Sequence, residues 1–323
     1  MEKKNTVIFL VAIMTFFATL IINNHTVVAS RNIAMTNYIS IYNKSNNYGI
    51  SKGISVAEHG ELELERLLKF KKSKREENFG KQAQLDNLKN EIKVFLGDNI
   101  NKVGLVYYDL NCKKFIEING DKQFLAASTI KVPINMLMYD MIKAKKIDIN
   151  EKLIYNEGDF EEGAGILQGT DLNKPLPLKT LSDYSIIYSD NIAINMILRK
   201  VGNENKYNYI EKIVGHAIAH SENNTTPMDS FKILEKLYLN LEHNEYYSDM
   251  LETMKKTEYH DRIDKYIPKE IVAHKIGDFA ECVNDMAIVC KENPYILVVF
   301  TDNLTDANEI IAKISKLVYE SQE

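Results

Sequence analysis

The chain has 323 residues, enough for one large α/β domain or two ordinary ones, and 45 acidic against 40 basic side chains give it a net charge of −5. The two signs are interspersed, which excludes the basic footprint of a nucleic-acid-binding protein. Three cysteines, Cys112, Cys282 and Cys290, are too few for a disulfide framework. They read as free thiols, with a single Cys282–Cys290 bridge left open.

Residues 1–29 begin with Lys3 and Lys4, run uncharged from Thr6 to Ile22 and reach Val27-Val28-Ala29, small enough for a signal peptidase. This is an export signal. The run is long for a removable apolar region and short for a spanning helix, so a cleaved signal peptide and a single N-terminal membrane anchor both fit. Lysines before the run place the rest of the chain outside the cell. From residue 30 to 79 the chain turns polar and then charge-rich, as a stalk or linker does. Within it Gly49-Ile50-Ser51-Lys52-Gly53 matches the nucleophile-elbow pattern, but that elbow needs a buried strand before it and a helix after it. Neither flank has that character.

The folded domain is expected over 80–323. Leu85, Leu88, Ile92, Phe95 and Leu96 recur at helical spacing up to Gly97-Asp98-Asn99. Val103 to Leu110 and Lys114 to Ile118 read as a hairpin around Asn111-Cys112-Lys113. Helical segments continue to about Asn244, broken at Gly163-Ala164-Gly165, at Pro175 and Pro177, and at Asn223 to Pro227. Strand character returns at Ile271 to Ile276, Val283 to Cys290 and Tyr295 to Thr301. An amphipathic helix from Asp306 to Tyr319 closes the chain, with Ile310, Ile311, Ile314, Leu317 and Val318 on one face. This order predicts an α+β fold, an αβα sandwich: a five-stranded antiparallel sheet flanked by helices, with an all-helical lobe inserted between the second and third strands. A cleft is expected at the seam of the two parts.

At that seam lies Ala126-Ala127-Ser128-Thr129-Ile130-Lys131-Val132-Pro133. Three residues apart at a helix start, the Lys131 amine and the Ser128 hydroxyl share a face. A desolvated lysine of lowered pKa can take the serine proton, and a helix N-terminus offers N–H groups to an oxyanion. Alone the pair is weak, since roughly one or two Ser-x-x-Lys matches are expected by chance in so lysine-rich a chain. Two further elements come after it in order: Ser189-Asp190-Asn191 between helical pieces, and His274-Lys275-Ile276-Gly277-Asp278 at a strand end.

Together the three resemble the penicillin-recognising serine enzymes, and class A β-lactamases most closely. The resemblance runs from about Lys81 to the C-terminus and takes in Gly163 to Gln168, Thr225-Thr226-Pro227, Val272-Ala273-His274-Lys275 and Asn284-Asp285. It implies Ser128 as the acylated nucleophile, Lys131 as its activating amine and Ser189 as a proton relay. Asn191 would hold the substrate's amide side chain and Lys275 would supply positive potential. The backbone N–H groups of Ser128 and Asp278, beside Gly277, would form the oxyanion hole, while Asp190 would order its loop. The ligand implied is a small-molecule β-lactam or a peptidoglycan-derived peptide, bound by a monomer without cofactor.

Two departures bear on activity. Only His216 to Asn224 separates Gly215 from Thr225, without the Glu-x-x-Leu-Asn pattern that drives water onto the acyl-enzyme, and Glu222 is the one carboxylate there. Ile276 replaces the threonine or serine hydroxyl that would bind a substrate carboxylate, and no arginine comes after Arg262 to replace it. A D,D-peptidase or esterase with slow deacylation, and a sensor without turnover, are therefore the competing readings. His216 and His220, four apart, lack the intervening glutamate of a metalloprotease helix, and no metal is expected.

Overall fold

The computed structural model describes residues 80–322, together with Arg66 and Lys69. The expected export signal and most of the expected stalk, Gly49 to Gly53 included, lie outside the described residues.

Residues 80–96 form a helix that buries Leu85, Leu88, Ile92 and Leu96, while Phe95 faces outward at 40 % exposure. A 3₁₀ turn, Gly97–Lys102, leads into β1 (Val103–Asp109), and the hairpin returns as β2 (Lys114–Ile118). Asp109 closes that turn by accepting hydrogen bonds from the backbone N–H groups of Asn111 and Cys112. After the two-residue β3 (Phe124–Leu125), the chain enters helices at Lys131–Lys143, Leu178–Ile187, Asn191–Val201, Asn203–Val214, Pro227–Leu239 and Glu245–Met254. Two short ladders edge this lobe, one pairing β4 (Lys152–Leu153) with β5 (Leu176–Pro177), the other pairing β3 with β6 (Asn224–Thr225). The chain then returns as β7 (Val272–Phe279), β8 (Cys282–Val289) and β9 (Tyr295–Asp302), and ends in the helix Ala307–Glu320.

The five long strands form one antiparallel sheet in the order β2-β1-β9-β8-β7. β1 and β9 read as nearly unbroken buried runs because both faces are covered. Along β9, Ile296, Val298 and Phe300 join the cluster facing the helical lobe, whereas Tyr295, Leu297 and Val299 join the one beneath the terminal helices. Side chains of a strand alternate between faces, so one run supplies two cores. Ile311, Ile314 and Val318 of the last helix are fully buried in the second core. Cys282 opens β8 and Cys290 follows its last residue, so at about 3.4 Å of rise per residue they lie far beyond the reach of a bridge. All three cysteines are free.

β7 is an edge strand, and Gly277 lets it press against the segment that carries Ser128. A Cβ at Gly277 would stand 2.6 Å from the Ala126 carbonyl oxygen and 3.1 Å from the Ser128 nitrogen. From the next strand, Asn284 donates to the Leu125 carbonyl at 2.7 Å while its own oxygen accepts from the Thr301 N–H. One buried amide thus ties β8, β9 and the approach to Ser128.

Candidate active site

Ser128 occupies a 3₁₀ turn, Ala127–Ile130, and the α-helix proper begins at Lys131. Ala127 enters the turn with φ +48°, a left-handed conformation that costs a non-glycine residue energy and here aims the next side chain into the cleft. The turn is held from outside: Ala126 N–H donates to the Asn223 carbonyl at 2.7 Å, and the Asn223 side chain donates to Ala127 O at 3.1 Å. The end of the short His216–Asn224 loop, at Asn223, therefore braces the turn that carries the serine.

Lys131 is 3 % exposed, and its Nζ lies 2.7 Å from Ser128 Oγ, 2.7 Å from Ser189 O, 3.3 Å from Ser189 Oγ and 2.6 Å from Asn191 Oδ1. An ammonium has three protons and cannot serve four acceptors. A neutral amine can instead receive a hydrogen bond from the Ser128 hydroxyl along the same 2.7 Å line. Burial favours that form: it lowers the Lys131 pKa to about 8, against the opposing pull of Glu161 and Asp190.

Ser189 is held in a left-handed conformation, φ +55°, between two helices, and Asp190 begins the second of them. Asp190 caps that helix by accepting from Ala193 N–H, and its other oxygen accepts from Ile166 and Leu167 N–H at 2.7 and 2.8 Å. It orders the loop, as expected. Gly165 is required there, since a Cβ would stand 2.3 Å from the same oxygen. Asn191 N–H donates to Ala164 O, and the Asn191 amide spans from Lys131 to the Glu162 carbonyl.

Lys275 comes from the opposite wall. Fully buried, its Nζ donates to Ser189 Oγ and to Ile276 O, both at 3.0 Å. Burial depresses its pKa well below the usual lysine value, and the neighbouring Lys131 charge adds to the effect. Ser128, Lys131, Ser189 and Lys275 thus form a continuous chain of proton-exchanging groups, drawn from the two walls of the cleft. Gly277 supports the Ser128 turn, and Asp278, next to the last residue of β7, is exposed.

Arg262 departs from expectation. Though it precedes the last strands in sequence, its buried guanidinium donates to Asn284 O at 2.8 Å and to Asp278 Oδ2 at 2.5 Å, so a second cation stands near Lys275. The side chains at the back of the site are otherwise engaged. Glu222 is exposed and accepts from Asn224, His216 pairs with Asp229, and His220 pairs with Glu211 while stacking on Tyr207. The two histidines share no helix face. Ile276 is 4 % exposed, beside the fully buried Lys275.

The profile of the Beta-lactamase enzyme family matches residues 87–322. Among curated proteins, β-lactamase BRO-1 of Moraxella catarrhalis is 27 % identical over 62 % of this chain and 73 % of its own. β-Lactamase VEB-1 of Pseudomonas aeruginosa is 25 % identical over 72 % and 88 %. Among solved structures, a PBP-A mutant in an acyl-enzyme complex with penicillin G superposes with TM-score 0.68 at 25 % identity, over 74 % of this chain and 97 % of that one. The extended-spectrum β-lactamase TLA-1 superposes with TM-score 0.67 at 23 % identity, over 74 % and 99 %. With the serine, the two lysines and the Ser-Asp-Asn turn brought together on that fold, the chain belongs to the β-lactamase, penicillin-recognising serine hydrolase family.

Proposed function

We propose that the chain is an exported hydrolase that forms an acyl-enzyme on Ser128, with β-lactams or related amides as its acyl donors. The observation that carries this reading is the buried Lys131 amine, 2.7 Å from Ser128 Oγ. Ser128 Oγ attacks the amide carbonyl, forming the C–O bond as its proton passes to neutral Lys131. The oxyanion is received by the backbone N–H groups of Ser128 and Asp278, and Gly277, the residue before Asp278, lets β7 come close to the Ser128 nitrogen. As the C–N bond breaks, the proton reaches the leaving nitrogen through Ser189 Oγ, which lies within hydrogen-bond reach of both lysines. Asn191 holds the acyl-side amide, and Lys275, with Arg262 near it, attracts negative charge on the substrate. Lys3 and Lys4 before the apolar run support export, the domain lying outside the cell as a monomer, either free or held by one N-terminal anchor.

A second reading is favoured by the back of the site: a D,D-peptidase or esterase that releases its acyl group slowly. The loop behind Ser128 offers only Glu222, which is turned to Asn224 and solvent. Incubating the full-length chain with a chromogenic cephalosporin, while recording both colour and intact mass, separates the readings. Fast turnover without a lasting adduct is expected of a β-lactamase, and a stable adduct absent in Ser128→Ala is expected of the slow enzyme. If neither cephalosporin nor ester acylates the chain, a binding sensor remains and the catalytic reading fails.

A further inference from the structure

Beneath the active-site wall, on the far side of β7 from the cleft residues, a group of side chains has no part in the chemistry above. His260 and Asp264 lie in the segment preceding β7, His274 lies on β7 one residue before Lys275, and one ligand atom from each falls within 4.8 Å of the others. His260 Nδ1 makes a very short contact with Asp264 Oδ2, and His274 Nε2 stands 3.4 Å from that same oxygen. His274 and Asp264 are both buried, whereas His260 is 38 % exposed at the side chain and opens the group to solvent.

Two features distinguish this group from an ordinary ion-pair network. Buried polar atoms are almost always well hydrogen-bonded, yet Asp264 Oδ1 has no hydrogen-bond partner and His274 Nε2 has only a long ion-pair contact, 3.4 Å to Asp264 Oδ2. In addition, His274 Nδ1 is already committed to Asp285, at 3.0 and 3.1 Å to its two oxygens, and Asp285 is itself fixed by Ile263 N–H at 3.1 Å. A carboxylate on one ring nitrogen orients the imidazole and leaves the other nitrogen as a ligand, the arrangement found behind metal-bound histidines.

We propose that His260 Nδ1, Asp264 and His274 Nε2 form a site for one divalent transition-metal ion of the zinc class, with Asp285 as the carboxylate that orients His274. Two imidazoles and one carboxylate suit a borderline-soft ion, and three protein ligands leave a fourth position for water on the exposed His260 side. The hard cations magnesium and calcium prefer all-oxygen shells and are disfavoured here. Binding requires the three donors to spread slightly around the ion, and the proton shared among the histidines and carboxylates is released to solvent as the metal enters. The site joins the segment 260–264 to β7, so its occupant would brace the wall that carries Lys275.

The test is titration of the full-length chain with Zn²⁺ against a chromophoric chelator at mildly alkaline pH, with Co²⁺ absorption as a second readout. One ion per chain is expected, with a Co²⁺ spectrum of nitrogen and oxygen ligands and no thiolate charge-transfer band. His260→Ala should weaken binding at least about tenfold, Asp285→Asn by about 10- to 100-fold, and His220→Ala not at all. His260 is exposed enough for its variant to keep the fold, which circular dichroism verifies. An absence of saturable one-to-one binding, affinity unchanged in folded His260→Ala, or a thiolate-bound cobalt spectrum would overturn the proposal.

Discussion

In the proposed acylation Lys131 decides what Ser128 can do, because only its neutral form can accept the serine proton. With the ordinary lysine value, roughly one amine in several thousand would be neutral at pH 7; with the pKa drawn down to about 8 by burial, roughly one in ten is. The acylation rate should therefore climb about tenfold per pH unit below 8 and level off above it, as stopped-flow measurement with a chromogenic ester would record. A flat profile between pH 6 and 8 would exclude Lys131 as the base. Replacing the amine, Lys131→Ala, should slow acylation by about 10²- to 10⁴-fold. Ile276 bears on substrate choice at the same scale. A hydroxyl there would add a hydrogen bond to a charged carboxylate, about 1.5–3 kcal/mol, so Ile276→Thr should raise acylation by carboxylate-bearing β-lactams about ten- to hundredfold and leave neutral esters unaffected. An equal gain for both donors would assign the effect to packing instead.

The site was legible wherever its residues are close in sequence. Ser128 with Lys131, Ser189 with Asn191, and Lys275 with Gly277 each occupy one turn or one strand, and the order of these three elements, through the family resemblance, singled them out. What escaped was contact between segments distant in sequence. Arg262, in the segment before β7, meets Asp278 on that strand, and His274 meets Asp285 because Ile276 stands opposite Asp285 in the β7–β8 register, which no local pattern specifies. His216 and His220 drew attention by their spacing, while the histidines that do gather lie fourteen residues apart, at 260 and 274.

At the scale of elements, the strands and helices were read well because their two-residue and 3.6-residue periods are strong. β2 has the bounds its sequence suggested, and the last helix is shifted by one residue from the expected span. The helix after Ser128 was the exception: its first residue is Lys131, and Ser128 sits in a tighter turn, entered by Ala127 at positive φ. That turn depends on the close approach of β7. Gly277→Ala would drive a Cβ to 2.6 Å from Ala126 O, so the strand and the turn must separate. Acylation should fall by at least about 10²-fold, the scale of one lost oxyanion donor, with a stability loss of about 1–3 kcal/mol. A variant that kept its acylation rate would show that the two backbones need not touch.

For the whole molecule, the sheet separates a core that shapes the cleft from one that does not. Ile311 is fully buried in the cluster beneath the terminal helices, away from Ser128. Ile311→Ala should cost about 2–5 kcal/mol in denaturant unfolding, yet leave the acylation rate of the folded fraction within about twofold. A matching fall in the rate would mean that the two cores act as one.

The strand order has a consequence for how this chain comes to be folded. β1 is the first long strand, and its partner besides β2 is β9, so that Val106 faces Val298 across almost the entire domain sequence. Until β9 is available, β1 and β2 are an isolated hairpin, which is marginal in water, and neither core can close. The rate of folding falls as contacts span more of the chain, so this domain should acquire its structure late and slowly, after its C-terminal strands exist, rather than progressively from its N-terminus. Throughout that interval its long apolar strands are open to mispairing, and their protection by chaperones or by dilution governs the yield of active protein.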